Sequence, residues 1–309
     1  MGILVIGATF VDIKGFPNDK YIPTGRNSGR IEYVHGGVAR NVAEDIANME
    51  LRPTFITIVD ETPLGKDVKE KLAKHKVNTD YIITEPDGMG IWMVVFDNDG
   101  DVAGSISKRP DLLPMVKILE EKGDEIFSDI DSVVIEVDIE KEILKPVLKL
   151  AKKHNVRLYG MVTNMSIATE RRDFIQNFEC FICNQNEAGL LFVDDYSEKE
   201  PEELRDILAE RIRRANIKSM IVTMGEKGSV YADIEGNRGV CAAKKVAVKD
   251  TTGAGDAFCA GIASALTYGK TLPEAMDIGS FLAASVITSS ENVCPRFLPQ
   301  ELGIDVNIK

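Results

Sequence analysis

Short apolar runs and amphipathic stretches alternate along almost the whole of this 309-residue chain, and that rhythm limits its fold more than anything else. Residues 3–6, 54–59, 81–83, 133–137, 157–160, 180–183 and 219–223 read as strands. Between them, 38–49, 64–75, 141–154, 168–177 and 202–215 carry helical spacing, and two further helices are expected at 255–267 and 272–285. Strands apolar at every position suit a sheet covered on both faces, and repeated βα units make such strands parallel. The expected class is therefore α/β, a three-layer, mostly parallel central sheet flanked by helices. Ligands of such sheets sit beyond the carboxyl ends of the strands.

Two stretches break the rhythm. Residues 12–33 are irregular and rich in Gly, Pro and Asn, ending in polar alternation. Residues 90–96 and 102–107 flank Asp97-Asn98-Asp99-Gly100, a hairpin signal. Segments of about 12–33 and 88–107 are thus expected to form a small β subdomain standing off the main sheet, within one domain spanning 1–309. A second hairpin is expected where 229–234 and 238–242 flank Glu235-Gly236-Asn237.

With 37 basic and 49 acidic residues the net charge is −12, which repels nucleic acid and anionic lipid and makes neither an expected partner. The first residues, Met1-Gly2-Ile3-Leu4-Val5-Ile6-Gly7, lack a basic leader segment, and no apolar run reaches transmembrane length. A cytoplasmic location is expected. Cys180 and Cys183 form a CxxC, but neither a second pair nor a nearby His completes a metal site. Their odd offset within a strand points the two thiols to opposite faces, as inert core residues.

Chemistry gathers at Asp250-Thr251-Thr252-Gly253-Ala254-Gly255-Asp256, where three small residues precede an acid and an apolar helix follows. Small residues let backbone amides approach an anion, and a helix start adds its positive dipole end. No Gly-Lys-Ser/Thr stands in this stretch, so it is no Walker A loop. A plainer reading makes Asp256 a first-turn acid that stabilises its helix. Asp250 and Thr252 add oxygen ligands suited to a hard cation. Upstream, Gly36-Gly37 opens a helix that carries Asn41 one turn in, and an amide side chain suits a polyol. Asn184 and Glu187 share a helix face after the 180–183 strand, which is also the spacing of a capping box. Thr223-Met224-Gly225 ends a strand in a tight turn.

In order and spacing these four motifs resemble the PfkB family of ribokinase-like carbohydrate kinases, and the resemblance runs from the first strand to about residue 299. It implies transfer of the γ-phosphoryl group of ATP to a hydroxyl of a sugar or nucleoside. Asp256 would be the general base, with the Gly253, Ala254 and Gly255 amides as the anion hole. Asn184 and Glu187 match the family's NxxE motif, which organises Mg²⁺ and phosphate, and Glu187 would act on the metal through water. Thr223 and Gly225 match its nucleotide-binding turn. Asp12, Gly36, Gly37, Asn41 and Glu136 match positions that hold the acceptor. Asp250, Thr252 and the 285–292 loop match a region where many members place K⁺, although Glu291 stands where several relatives carry small residues. The small β subdomain would be the lid used for closure and for a homodimer contact.

The acceptor is less clearly written. Gly36-Gly37-Val38-Ala39-Arg40-Asn41-Val42-Ala43-Glu44 has Val38 where ribokinases typically carry Lys, and it looks more like pseudouridine kinases. Pseudouridine 5′-phosphorylation is the reading this favours, beside a ribose or fructose kinase or a non-catalytic binding member of the fold. An oxidoreductase is disfavoured, since no GxGxxG follows the first strand. Trp92 and Met93 lie on opposite faces of the lid hairpin, and whichever points inward would cover a base or sugar ring.

Overall fold

The computed structural model describes residues 2–306. Its elements begin with β1 (Ile3–Ile6), β2 (Phe10–Pro17), β3 (Gly29–Gly36), α1 (Val38–Asn48), β4 (Thr54–Val59), α2 (Pro63–Lys74) and β5 (Ile82–Thr84). There follow β6 (Gly90–Phe96), β7 (Val102–Lys108), α3 (Met115–Ser128), β8 (Ser132–Glu136), α4 (Lys141–His154) and β9 (Arg157–Met161). Two one-turn helices, α5 (Met165–Ala168) and α6 (Arg172–Ile175), precede β10 (Cys180–Asn184), α7 (Gln185–Phe192), α8 (Pro201–Ala215) and β11 (Ser219–Thr223). The chain ends with β12 (Ser229–Asp233), β13 (Arg238–Cys241), α9 (Ala254–Thr267) and α10 (Leu272–Ile287).

Among the described residues the strands form two sheets. The larger runs β13-β12-β11-β10-β9-β8-β1-β4-β5 and is parallel from β11 to β5, with β12 and β13 added as an antiparallel edge. Its parallel strands are covered on both faces, and alternate residues enter opposite cores. Ile3 and Val5 join Ala39, Ile46 and Ile262 on one side, while Leu4 and Ile6 join Ile143, Leu144 and Phe127 on the other. Cys180 and Cys183 divide between the two cores in the same way, both buried and both unpaired. Chain direction across the sheet reverses at β1, between β8 and β4, and this switch point opens a crevice at the strands' carboxyl ends.

The smaller sheet runs β3-β2-β6-β7. Of residues 12–33, irregular by sequence, 12–17 and 29–33 belong to two strands paired antiparallel, Asp12 opposite Val34 and Gly15 opposite Ile31. Their lack of apolar alternation follows from their surroundings, because most of this sheet is exposed or only half covered. Helix α3 occupies a stretch to which the periodicity assigned no element. The single helix expected at 168–177 is instead divided, its first part capped by the Asn164 side chain and Ser166 amide at 3.1 Å.

Candidate active site

Asp256 and its neighbours meet at the N-terminus of α9. Gly253 takes φ +81° there, a conformation glycine adopts at no steric cost, and a Cβ on it would stand 2.0 Å from the Asn292 carbonyl oxygen. The chain therefore turns hard against the 289–296 loop, and α9 starts with Asp256 in its first turn. Asn41 Nδ2 donates to Asp256 Oδ2 at 2.6 Å, joining two motifs 215 residues apart. Asn292 Nδ2 donates to Asn41 Oδ1 at 3.3 Å and to the His35 carbonyl at 2.8 Å, which fixes which end of the Asn41 amide faces the carboxylate. Arg40, wholly buried, also donates to Asn41 Oδ1 and pairs with Glu44.

Burial pushes the Asp256 carboxyl up to about 6, against the pull of the Asn41 hydrogen bond and the Arg40 charge and with a push from Asp12. Asp12 is itself raised, by burial, with Lys14 and Arg40 opposing. Gly36 makes room for it, since a Cβ there would lie 2.7 Å from Asp12 Oδ1. Gly37 must be glycine twice over, with φ +96° and the Ala8 carbonyl 2.7 Å from where its Cβ would be. The paired glycines thus bring the start of α1, and with it Asn41, close under β1 and β2.

Glu136 ends β8 at the switch point. Its Oε1 accepts from the Ala39 amide at 2.9 Å and its Oε2 from the Ala8 amide at 3.3 Å. α1 has no side-chain cap of its own at Gly37, so this carboxyl from another strand serves as one. Glu136, expected to touch the acceptor, is almost fully buried, and each of its oxygens accepts from one backbone amide. Burial, then the charge of Asp138, holds it above the usual carboxylate range.

The two motifs expected to bind nucleotide sit on adjacent strands, Asn184 of β10 directly opposite Thr223 of β11. Asn184 and Glu187 form a reciprocal capping box on α7, with Glu187 N to Asn184 Oδ1 at 2.9 Å and Asn184 N to Glu187 Oε2 at 2.7 Å. The capping reading of that spacing is met, and Glu187 Oε1 remains outside the box. Burial raises the Glu187 carboxyl, and the charge of Asp138 adds to this, a pairing that a bound cation would relieve. Among the described residues no group of three or more His, Cys, Asp or Glu is placed to hold a metal by itself. The site fits an ion carried mainly by phosphate oxygens and water.

A cleft of about 180 Å³ connects the two halves, lined by Thr223, Gly225, Ala254, Gly255, Ser280 and Ala284 among others. A Cβ on Gly255 would meet nothing within 4 Å, so protein packing does not require that glycine. The open space above it lies at the helix start, where the Gly255 and Asp256 amides have no intrahelical carbonyl to meet. The Ala254 amide is already used, donating to the Thr251 carbonyl at 3.2 Å. Asp250 Oδ1 accepts from the Thr252 amide at 2.8 Å. Burial opposes ionisation of Asp250, but Thr252 and the Lys14 charge outweigh it and leave its carboxyl below the usual range.

Open amides at a helix start, an acid hydrogen-bonded to a distant amide side chain and a neighbouring cleft are an arrangement suited to phosphoryl transfer. Residues 2–295 match the sequence profile of the pfkB family carbohydrate kinases. The chain belongs to that family. It is 35% identical to a guanosine-inosine kinase of Exiguobacterium acetylicum over 94% of this chain and 95% of that one. A pseudouridine kinase of Escherichia coli K12 is 24% identical over 89% of this chain and 86% of its own. Among solved structures, Arabidopsis thaliana ribokinase complexed with ribose and ATP superposes with a TM-score of 0.83 at 21% identity, covering 97% of this chain and 98% of that one. This pfkB-family protein is a sugar or nucleoside kinase with the ribokinase-like fold.

Asp138 and Arg40 escaped sequence reasoning, and Asn292 was named only as the end of the 285–292 loop expected beside K⁺. Asn292 lies in a loop with no periodicity, and its contacts lie 251 and 257 residues away. Asp138 accepts from the Thr163 and Asn164 amides, just after β9, and from Arg109, just after β7, partners that only the folded sheet brings near. Arg40 stood inside the paired-glycine motif, but nothing local marks it as buried.

Proposed function

We propose that this kinase transfers the γ-phosphoryl group of ATP to the 5′-hydroxyl of a purine nucleoside, guanosine or inosine. The observation that carries the nucleoside reading is the position of Trp92. Paired with Asp12 across β2 and β6, it lies on the same face of the small sheet as that acceptor-binding acid, whereas Met93 faces outward, 45% exposed. An indole beside a hydroxyl-binding carboxylate suits a base stacked above a ribose, and such stacking contributes about 1–3 kcal/mol per base. The 35% identity to the guanosine-inosine kinase favours a purine. Pseudouridine is the second reading, carried by the 36–44 motif and the similarity to the Escherichia coli enzyme.

In this reading Asp256 accepts the hydroxyl proton late, as the loose transition state forms, so a carboxylate titrating near 6 suffices. Asn41 orients it and Asp12 binds the acceptor. Gly253, with the Gly255 and Asp256 amides, meets the charge on the transferring group, while Ala254 shapes the turn. The cleft at Thr223 and Gly225 takes the adenine nucleotide. Mg²⁺ supplies neutralisation of phosphate charge, and Asn184 and Glu187 would hold it through water. Asp250, kept ionised, and Thr252 would hold K⁺ beside the cradle. The small sheet acts as the lid, and its outer face joins two copies into a homodimer.

The test is ATP consumption screened over guanosine, inosine, pseudouridine, uridine, adenosine, ribose and fructose, with Mg²⁺ and K⁺ varied. Turnover highest on guanosine or inosine is expected, and Trp92→Ala should raise KM for the nucleoside about tenfold or more. Turnover confined to ribose or fructose would end the nucleoside reading. Preference for pseudouridine would replace the purine.

A further inference from the structure

Away from the phosphoryl cradle, the side of α1 that carries Glu44 and Asn48 opens into a second cavity. Its volume is about 480 Å³, within the ~300–1,000 Å³ of small-molecule sites. The last turn of α2 and the residue after it contribute Lys71, Lys74 and His75, followed by Lys76, and the C-terminal loop contributes Arg296. In a protein of net charge −12 this is an unusual gathering of cations.

The local ion pairs leave positive charge over. Glu44 is shared, its Oε2 with the buried Arg40 and its Oε1 with Lys71 at 3.1 Å. Glu50 is shared as well, with Lys76 at 2.6 Å and Arg296 at 2.5 Å. Each carboxylate thus faces two cations. Lys74 has no acidic partner among the described residues, and the only acid left on the cavity wall to set against this surplus is Glu291. His75 is fixed too. Asn48 Nδ2 donates to the Cys294 carbonyl at 2.7 Å, so Asn48 Oδ1 must face His75 Nδ1, 2.7 Å away, and accept its proton.

The same residues anchor the loop behind the cradle. Asn48 holds the Cys294 carbonyl, and its own carbonyl accepts from the Phe297 amide at 2.8 Å. Asp45, one turn earlier, holds the Cys294 amide at 2.6 Å. Two residues before Cys294 stands Asn292, against Gly253 and bonded to Asn41. An anion bridging Lys71 and Lys74 to Arg296 would tie α2 to this loop and hold Asn292 in place.

We propose that this cavity is a binding site for a phosphate monoester of sugar size, and that its occupancy stiffens the loop supporting the phosphoryl cradle. A dianion meets the surplus charge, Arg296 offers a forked donor, and the volume exceeds what free phosphate fills. The binding half is independent of the acceptor's identity. The coupling half rests on the kinase reaction.

Calorimetric titration with ribose 5-phosphate and, separately, inorganic phosphate tests the site, with ADP and the nucleoside acceptor both saturating. Ribose 5-phosphate is expected to bind under these conditions, and inorganic phosphate to bind more weakly. Binding should weaken at least tenfold in Lys74→Ala/Arg296→Ala, whose side chains are exposed and whose melting temperature checks the fold. Binding abolished by saturating ADP and nucleoside, or unchanged in the double variant, would overturn the site. Inorganic phosphate binding as tightly as ribose 5-phosphate would reassign it to the free ion and overturn the sugar-sized ligand. With all substrates saturating, ribose 5-phosphate should raise kcat at least twofold in the wild type and leave the double variant unmoved. An unchanged or lowered kcat in the wild type would overturn the coupling.

Discussion

Asp256 has a pKa set by opposing neighbours, and each neighbour can be removed separately. Burial and Asp12 raise it, while the Asn41 hydrogen bond and Arg40 lower it, leaving it at about 6. As the proposed base it must be ionised, so kcat/KM is expected to fall as pH drops below about 6. Asn41→Ala removes a donor that favours the charged form and should move this acidic limb upward, measured by a pH–rate profile of both proteins. A limb that stays in place would separate Asn41 from the base. Asp256→Asn should lower kcat roughly 10²–10⁴-fold while leaving nucleotide affinity nearly intact. The same change carries a stability signature of opposite sign. A carboxyl raised above its unfolded value of about 3.9 contributes stability below that pH and loses it as pH rises through the folded value. At pH 8 the ionised Asp256 therefore costs stability, and the Asn variant should melt higher, by about 2 °C. Lost activity together with a raised melting temperature distinguishes a missing base from a damaged fold.

At the scale of the element, α1 is the part whose sequence conceals its use. Residues 39–48 are all buried, including Arg40, Asn41, Glu44, Asp45 and Asn48, an unusual polar load for an interior helix. Asn41 reaches Asp256, while Asp45 and Asn48 reach Cys294. Asp45 offers the sharpest test. Burial drives its carboxyl well above the usual range, the Cys294 amide occupies one oxygen, and the other has no hydrogen-bond partner. Its stability contribution is present below about pH 4 and lost as pH rises toward the folded value. Asp45→Asn keeps the acceptor without the charge, so its melting temperature should fall less steeply with pH than the wild type's. Asp45→Ala leaves the Cys294 amide unpaired and should cost about 2–4 kcal/mol, read from denaturant unfolding. Equal pH slopes for Asn and wild type would mean that Asp45 is ionised in the folded protein. The glycines and Asn41 were legible because turn chemistry is local. Glu136 as a cap for α1, and Asn292 as a brace, were not, because each is defined by a partner that only the switch-point topology brings near.

For the whole molecule, the alternation of strand and helix was enough to give the large sheet, since a strand buried on both faces must be apolar throughout, as Ile3–Ile6 is. It failed where burial is one-sided or absent, at β2, β3 and α3. That failure marks the surface with the clearest consequence for assembly. Register puts Tyr33, Ile13, Met93 and Ile106 in one row across the small sheet, and Ile31, Gly15, Val95 and Gly104 in the next. Ile31 and Ile106 are 65% and 66% exposed, so the outward face is an apolar patch with little to cover it. Protomers of net charge −12 repel one another over most of their surface, and this nearly uncharged face is where two can approach. The inward face carries Asp12, Lys14 and Trp92, so pairing the outer faces would brace the wall over the acceptor without blocking it. Met93→Glu/Ile106→Glu places like charges at the centre of that contact. Light scattering at micromolar concentration is expected to give twice the chain mass for the wild type and the single-chain mass for the variant. The monomer should keep its nucleotide affinity and show a raised KM for the nucleoside, because only the small sheet loses support. A wild type that is monomeric at that concentration would remove the dimer, and an unchanged KM in a monomeric variant would uncouple assembly from the acceptor site.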